Sequence, residues 1–245
     1  MGIEFRLNVN VGVDISFEKL SKEYDAVFLG LGTYTDMTGG FEHEDANSVY
    51  TALDFLVGNT QKLMGITENA KEYVNFDSQK VIVLGGGDTA MDCVRTSIRQ
   101  GASQVTCAYR RDEANMPGSP REVQNAKEEG VNFEFNIQPI DIATGDSKEG
   151  KGKAIGVRFV RTQLGIADAK GRGNPEPIEA SEFVMEADAI VIVFGLLPSP
   201  PQWMVDAGVK LDSRGRVVAV DNSDFALQTS EKISLLVVIW YLAQI

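Results

Sequence analysis

Val81-Ile-Val-Leu84 runs directly into Gly85-Gly-Gly87-Asp-Thr-Ala90. Four apolar residues meet a glycine-rich turn, and the spacing Gly85-x-Gly87-x-x-Ala90 fits the pattern G-x-G-x-x-G/A. Glycine turns are common, so the string decides little without its surroundings. Here Asp88 to Arg99 follows with helical spacing, placing Ala90, Cys93, Val94 and Ile98 on one side. Gly101 closes that helix, and Gln104 to Tyr109 reads as the next strand. A strand, a glycine turn, a helix and a second strand are the context a dinucleotide-binding turn requires. Gly85 permits the tight turn and Gly87 lets the backbone approach a pyrophosphate. Gly86, Asp88, Thr89 and Ala90 complete the cradle, where free N–H groups at a helix start face the anion. The plainer alternative is a glycine turn with no ligand.

The second strand bears on which dinucleotide. An NAD-binding unit carries an Asp or Glu about 20 residues past the glycines, held to the ribose 2′-hydroxyl. This strand ends Ala108-Tyr-Arg110-Arg111, with no acid at its tip. Adjacent guanidiniums suit a 2′-phosphate, which they can grip bidentately. Arg110 and Arg111 therefore predict NADP(H) over NAD(H); the alternative is that they cap a strand at the surface.

Beyond this unit, Ile3, Phe5 and Leu7 alternate like a strand, and Tyr24 to Gly32 reads as a more buried one. Asn47 to Met64 shows helical spacing. Ser119-Pro-Arg-Glu122 combines a capping box with proline at the first helical position, so a helix begins there and ends before Gly130. Val131 to Phe135 returns as a strand. Ile155 to Leu164 and Glu182 to Ala187 alternate like antiparallel strands, separated by a polar turn region around Lys170 to Pro177. Ala189 to Phe194 is a further buried strand, entering Gly195. Alternating β and α segments imply an α/β fold, a parallel sheet with helices on both faces.

Composition narrows the function. The 245 residues have ordinary hydrophobic (43%) and charged (24%) content for a globular chain. A net charge of -12 argues against a nucleic-acid partner, which needs a basic face. Cys93 and Cys107 share no C-x-x-C spacing and cannot supply a zinc or iron-sulfur ligand set. Two distant thiols and no secretory signal at the N-terminus point to the cytoplasm. Ile233 to Ile245 is almost wholly apolar but short of the roughly 20 residues a bilayer span needs, so no membrane partner is expected.

With these residues in view, the chain resembles a known family. Gly85-Gly-Gly-Asp-Thr-Ala-Met-Asp-Cys93 and Cys107-Ala-Tyr-Arg-Arg-Asp-Glu113 look like the small (beta) subunit of NADPH-dependent glutamate synthase and its paralogous FAD/NADPH oxidoreductases. So do Met116-Pro-Gly-Ser119 and Glu122-Val-Gln-Asn-Ala-Lys-Glu-Glu-Gly130. The resemblance runs from residue 1 to about Lys232. It implies a Rossmann-like NADPH-binding domain inserted in an FAD-binding domain. NADPH there gives a hydride to FAD, and electrons leave through iron-sulfur clusters to the large subunit or a related acceptor, in glutamate biosynthesis. Hydride transfer needs no protein acid or base, so no catalytic residue is expected; His43 reads as a solvated loop residue, and Asp88, Asp92 and Glu113 as helix-terminus or surface carboxylates. The stretch around Gly32 and Thr33 resembles the strand leaving the FAD domain near the flavin. Asp188 to Gly195 resembles the strand leaving the NADPH domain. A plain core strand with a glycine end is the alternative for both.

The resemblance also implies absences. The family's first FAD fingerprint and its cluster-ligating cysteines align upstream of Met1. Residues 1–60 are thus expected to be part of an FAD-binding domain, 61–196 the NADPH-binding domain, and 197–245 a further FAD-domain part with an aberrant tail. FAD is not expected to be retained, nor turnover by this chain alone. Where the family reads Ile-Phe-Ala-Gly-Gly-Asp, this chain has Lys232-Ile-Ser-Leu-Leu-Val-Val-Ile-Trp240. A frameshift accounts for that: codons can be chosen so that restoring one lost thymine yields Ile-Phe-Phe-Ala-Gly-Gly-Asp. The encoding DNA should then carry a run of thymines at Ser234; its absence on sequencing sinks the idea. Two other functions stand beside the electron-transfer subunit. One is an NADP(H)-binding module without flavin or turnover. The other is a free-standing dehydrogenase, ranked last because no Tyr-x-x-x-Lys pair occurs.

Overall fold

The computed structural model describes residues 2–145, 152–167, 173–219, 227–230 and 234–236. The chain divides into two compact units. In their described parts, one comprises residues 2–35 with those from 196 to 236, and the other the residues from 36 to 195. The sequence placed the first boundary near residue 60. The difference arises because Val49–Thr51, read as the start of a helix, forms a strand that pairs with Ile190–Ile192 and carries its segment into the second unit.

A five-stranded parallel sheet organises the second unit. Its order is Val49–Thr51, Ala189–Ile192, Lys80–Leu84, Gln104–Tyr109, Asn132–Phe135. Side chains alternate across the sheet. Val81 and Val83 face a layer of three helices, Ala52–Leu63, Asp88–Arg99 and Pro120–Glu128, which bury Phe55, Ala90, Met91, Val94, Val123 and Ala126 against them. Ile82 and Leu84 face the other way. Both faces are covered, so Val81 to Leu84 is continuously apolar rather than alternating.

What covers that other face corrects the expectation of helices on both sides. Residues Ile137–Thr144, Ala154–Ala167 and Phe183–Glu186 form an antiparallel sheet. Its Ile137, Ile142, Val157 and Phe159 pack with Ile82, Leu84, Ile190 and Ile192. The region around Lys170 to Pro177 is also not simply a turn, since Gly173–Pro177 pairs with the far end of the Ala154–Ala167 strand. The second unit is therefore layered helix, parallel sheet, antiparallel sheet.

Local signals set the helix ends. The Ser119 hydroxyl accepts the N–H of Glu122, and Pro120 opens the helix. Between this helix and Asp88–Arg99 runs an ion-pair network. Glu129 accepts from Arg99 Nη2 and Arg95 Nε, each at 2.7 Å, and Arg95 also reaches Glu122. The hydrogen bond from Arg99, with help from Arg95, holds the Glu129 carboxyl below the usual carboxylate range. Such a network fixes the angle between two helices whose first turns form one corner of the candidate site.

The first unit is smaller. Its helix Phe17–Glu23 is capped by Ser16, and Phe17 stacks on Trp203 over a core of Leu29, Met204 and Val209. Val27–Leu29 pairs in parallel with Ser234–Leu236. The expected strand at Ile3 to Leu7 is absent: the segment is irregular, and Ile3, Phe5 and Leu7 are 67%, 78% and 77% exposed. Alternation alone gives a strand no partner. The unusual tail lies outside the described residues from position 237 on. No helix among the described residues is long and apolar enough to cross a membrane.

Candidate functional site

The strands of a parallel sheet end together, and ligands bind outside their carboxyl ends. Gly85 follows Leu84 there, Arg110 follows Tyr109, and Gly195 lies three residues past Ile192, which pairs with Leu84. The structure thus brings Gly85 to Ala90, Arg110 and Gly195 to one edge of one unit. Gly32 and Thr33 belong to the other unit, in irregular chain beyond Val27–Leu29.

The three glycines of the turn are glycines for different reasons. At Gly85, φ is +149° and a Cβ would come 2.2 Å from the Val193 carbonyl oxygen, so neighbouring backbone forbids a side chain. At Gly86 a Cβ would stand 2.6 Å from the Tyr109 ring, whose hydroxyl donates to the Asn115 carbonyl. Gly87 has no such reason. Its φ of -88° suits any residue, and, its chain neighbours aside, no atom of the described residues lies within 4 Å of where a Cβ would be. The space beside Gly87 is open, as close approach by a ligand requires.

Gly87 is also the N-cap of Asp88–Arg99 and supplies no side-chain cap. The first N–H groups of a helix have no partner within it, and they carry the positive end of the helix dipole. Gly86 is a buried residue, and its N–H has no acceptor among the described residues. Buried N–H groups are rarely left without one. The arrangement is therefore a set of donors around an open space, suited to an anion.

Asp88 also has a partner within the protein. Its Oδ1 accepts the Ser119 N–H at 2.7 Å, and Gly118 N–H donates to the Gly86 carbonyl at 3.0 Å. These two bonds join the start of the Pro120–Glu128 helix to the glycine turn. Met116 to Ser119 thus has a part in the site, and its sequence signal is the proline and glycine directly before a helix cap. Thr89 is half-buried in the first turn, and Ala90 is buried against the sheet.

The two arginines separate. Arg111 is 3% exposed, and its Nε donates to the Gly173 carbonyl at 3.0 Å, tying the strand tip to the antiparallel layer. Arg110 is half-buried, and its carbonyl accepts the Thr162 hydroxyl at 2.8 Å, which fixes its backbone. Arg111 thus has a partner in the antiparallel layer, and Arg110 stands beside it just past the strand tip.

The residues fit a dinucleotide at this turn, on the open space at Gly87 and the unmatched N–H of Gly86. In the first unit Gly30-Leu-Gly32 follows the Val27–Leu29 strand, and no helix opens directly after it among the described residues. Thiol redox chemistry is also unsupported: Cys93 and Cys107 are both free and buried, and burial pushes the Cys107 thiol up to about 12. His43 Nδ1 lies 2.9 Å from Asp141 Oδ1 on an exposed loop away from the turn.

Comparison with known proteins adds the following. A family model described as pyridine nucleotide-disulphide oxidoreductase matches residues 9–232. The chain is 55% identical over 231 residues to the glutamate synthase (NADPH) small chain of Escherichia coli strain K12, covering 94% of this chain and 48% of that protein. It is 53% identical over 232 residues to the small chain of Halomonas elongata, covering 95% and 48%. The chain thus spans about half the length of these curated relatives. Among solved structures, Mycobacterium tuberculosis FprA in complex with NADPH aligns with a TM-score of 0.65 at 18% identity, covering 94% of this chain and 61% of that one. Thioredoxin reductase of T. acidophilum aligns at 0.58 and 21%, covering 89% and 59%. At such identities the structural likeness establishes the fold.

Proposed function

The chain belongs to the pyridine nucleotide-disulphide oxidoreductase family, and from that premise we propose that its second unit holds NADP(H) at the Gly85 to Ala90 turn for an NADPH-dependent oxidoreductase of the glutamate synthase small-subunit type. The observation that carries this reading is Gly87, a glycine that neither backbone conformation nor protein packing demands, at the uncapped start of a helix. The pyrophosphate lies there against the Gly86 N–H and the first helical N–H groups. Arg110 faces the 2′-phosphate, at the strand tip where an NAD-binding unit carries an acid. Gly195, on the same sheet edge, is assigned to the same cofactor site.

When bound, NADPH supplies a hydride. The chain's own part is to fix the donor by its two phosphate-bearing regions, since positioning is what the protein contributes to cofactor chemistry. The likeness to glutamate synthase small chains extends the proposal to the complete protein: a flavin, iron-sulfur clusters and a large-subunit partner beyond it. That extension rests on the likeness and on no residue of the glycine turn. Gly32 and Thr33 are proposed as flavin-side residues on the same ground.

A second reading is favoured by the first unit, whose glycines open no helix. On it the chain is an NADP(H)-binding module without flavin or turnover. Calorimetric titration with NADP⁺ and, separately, NAD⁺ tests the shared core of both readings. Preference for NADP⁺ is expected. Binding of neither nucleotide overturns the site, and preference for NAD⁺ overturns the role of Arg110. A yellow chromophore purifying with the chain would exclude the second reading.

A further inference from the structure

We propose that Cys107 is a positioning residue for the dinucleotide pyrophosphate, its thiol holding the Gly85 carbonyl so that the Gly86 N–H faces the ligand. The inference rests on the nucleotide reading above and deepens it. Cys107 lies on the Gln104–Tyr109 strand, beside the glycine turn, with its Sγ 3.2 Å from the Gly85 carbonyl oxygen. Gly85 is held from two further directions. Its N–H donates to the Ala108 carbonyl at 3.1 Å, and its α-carbon sits so close to the Val193 carbonyl that no side chain fits.

The consequence follows from peptide geometry. The described chain has no cis peptide bond, and in a trans peptide the carbonyl and the following N–H point to opposite sides. A Gly85 carbonyl held toward Cys107 sends the Gly86 N–H away from it. The next carbonyl, of Gly86, is held in turn by Gly118 N–H. Two successive carbonyls are thus tied to protein donors, and the N–H between them has no acceptor among the described residues. Such oriented backbone donors form an anion-binding concavity. Glycine is the residue for which this fixing matters most, because its peptide can otherwise rotate.

A thiol suits the task. It is small enough to stand beneath the turn within the apolar core of Ala90, Met91 and Val105. Burial keeps it protonated at neutral pH, with a value of about 12, so it remains a donor. An S–H bond is weak, but it acts on one peptide whose other restraints are already in place.

The test compares NADP⁺ with adenosine 2′-phosphate, which carries the 2′-phosphate and lacks the pyrophosphate. Affinities are measured on the full chain for wild type, Cys107→Ala, Cys107→Val and Cys107→Ser, with a thermal melt of each. Cys107→Ala and Cys107→Val are expected to weaken NADP⁺ about five-fold, the worth of one net hydrogen bond. Adenosine 2′-phosphate should bind them as it binds wild type. Cys107→Ser, which restores a donor, should recover NADP⁺ affinity to within about two-fold. Unchanged NADP⁺ affinity in the folded variants overturns the inference. So does an equal loss for both ligands, which would mark Cys107 as purely structural. Failure of wild type to bind NADP⁺ overturns instead the reading on which the inference rests.

Discussion

Arg110→Ala is expected to lower NADP⁺ affinity by about 10- to 100-fold while leaving NAD⁺ binding unchanged, as read by calorimetry. Charge-assisted hydrogen bonds are worth about 1.5–3 kcal/mol, and a doubly charged phosphate left facing an alanine loses them. The loss should appear only for the ligand carrying the 2′-phosphate. Arg111→Ala is expected to behave differently, although the two residues are neighbours. Arg111 is buried and its Nε donates to the Gly173 carbonyl. Its removal should cost about 3 kcal/mol of stability, because it empties a buried volume and strands a carbonyl. Nucleotide selectivity of the folded fraction should stay as it was. If Arg111→Ala instead abolishes the NADP⁺ preference at unchanged melting temperature, the division of roles between the arginines is wrong.

The second large effect separates two glycines two residues apart. Gly87→Ala should fold normally, with a change of no more than about 1 kcal/mol for an altered helix cap. Its NADP⁺ affinity should fall about tenfold or more, since a methyl group enters the space through which backbone and phosphate approach. Gly85→Ala should do the reverse at the level of folding. Its new methyl meets the Val193 carbonyl oxygen at 2.2 Å, and φ is +149°. A loss of about 3 kcal/mol is expected from overlap and backbone strain together. Chemical denaturation and nucleotide titration of both variants check the pair. Tight NADP⁺ binding by Gly87→Ala would remove the observation on which the proposed function stands.

These expectations show where the chain could be read directly and where it could not. The helix Asp88–Arg99 and its flanking strands were legible because glycines bracket them and the apolar period changes abruptly at each end. Ser119 and Pro120 announced the next helix through chemistry local to four residues. Other features depend on partners distant in sequence. Ile137–Thr144 carries Pro139 and a register shift between Pro139 and Asp141, so its alternation is broken. Gly173–Pro177 hides a strand behind two prolines, which an edge strand tolerates. Both belong to the antiparallel layer, and missing them meant missing what covers the second face of the parallel sheet.

The arginine pair gives a sharper lesson. Arg110 and Arg111 stand in bends past the tip of a strand, and the Arg111 Nε already donates to the Gly173 carbonyl, so adjacency in sequence does not by itself put both guanidiniums on one ligand. Cys107 carries no spacing signal of a redox pair or metal ligand, and its Sγ contact is with a carbonyl of the turn it underlies, a partner that only the fold brings near.

One feature of the chain's path bears on how such a protein is assembled over evolutionary time. The described residues of the nucleotide unit all fall between Asp36 and Gly195, and near those two positions Met37 N–H donates to the Gly195 carbonyl at 3.0 Å. A stretch of this length that begins and ends at the same place is a cassette. A host sequence needs only a gap a few ångströms wide to receive it, and excising it leaves ends that a short linker rejoins. A nucleotide cassette with neighbouring ends is one that gene rearrangement can copy between hosts without redesigning either.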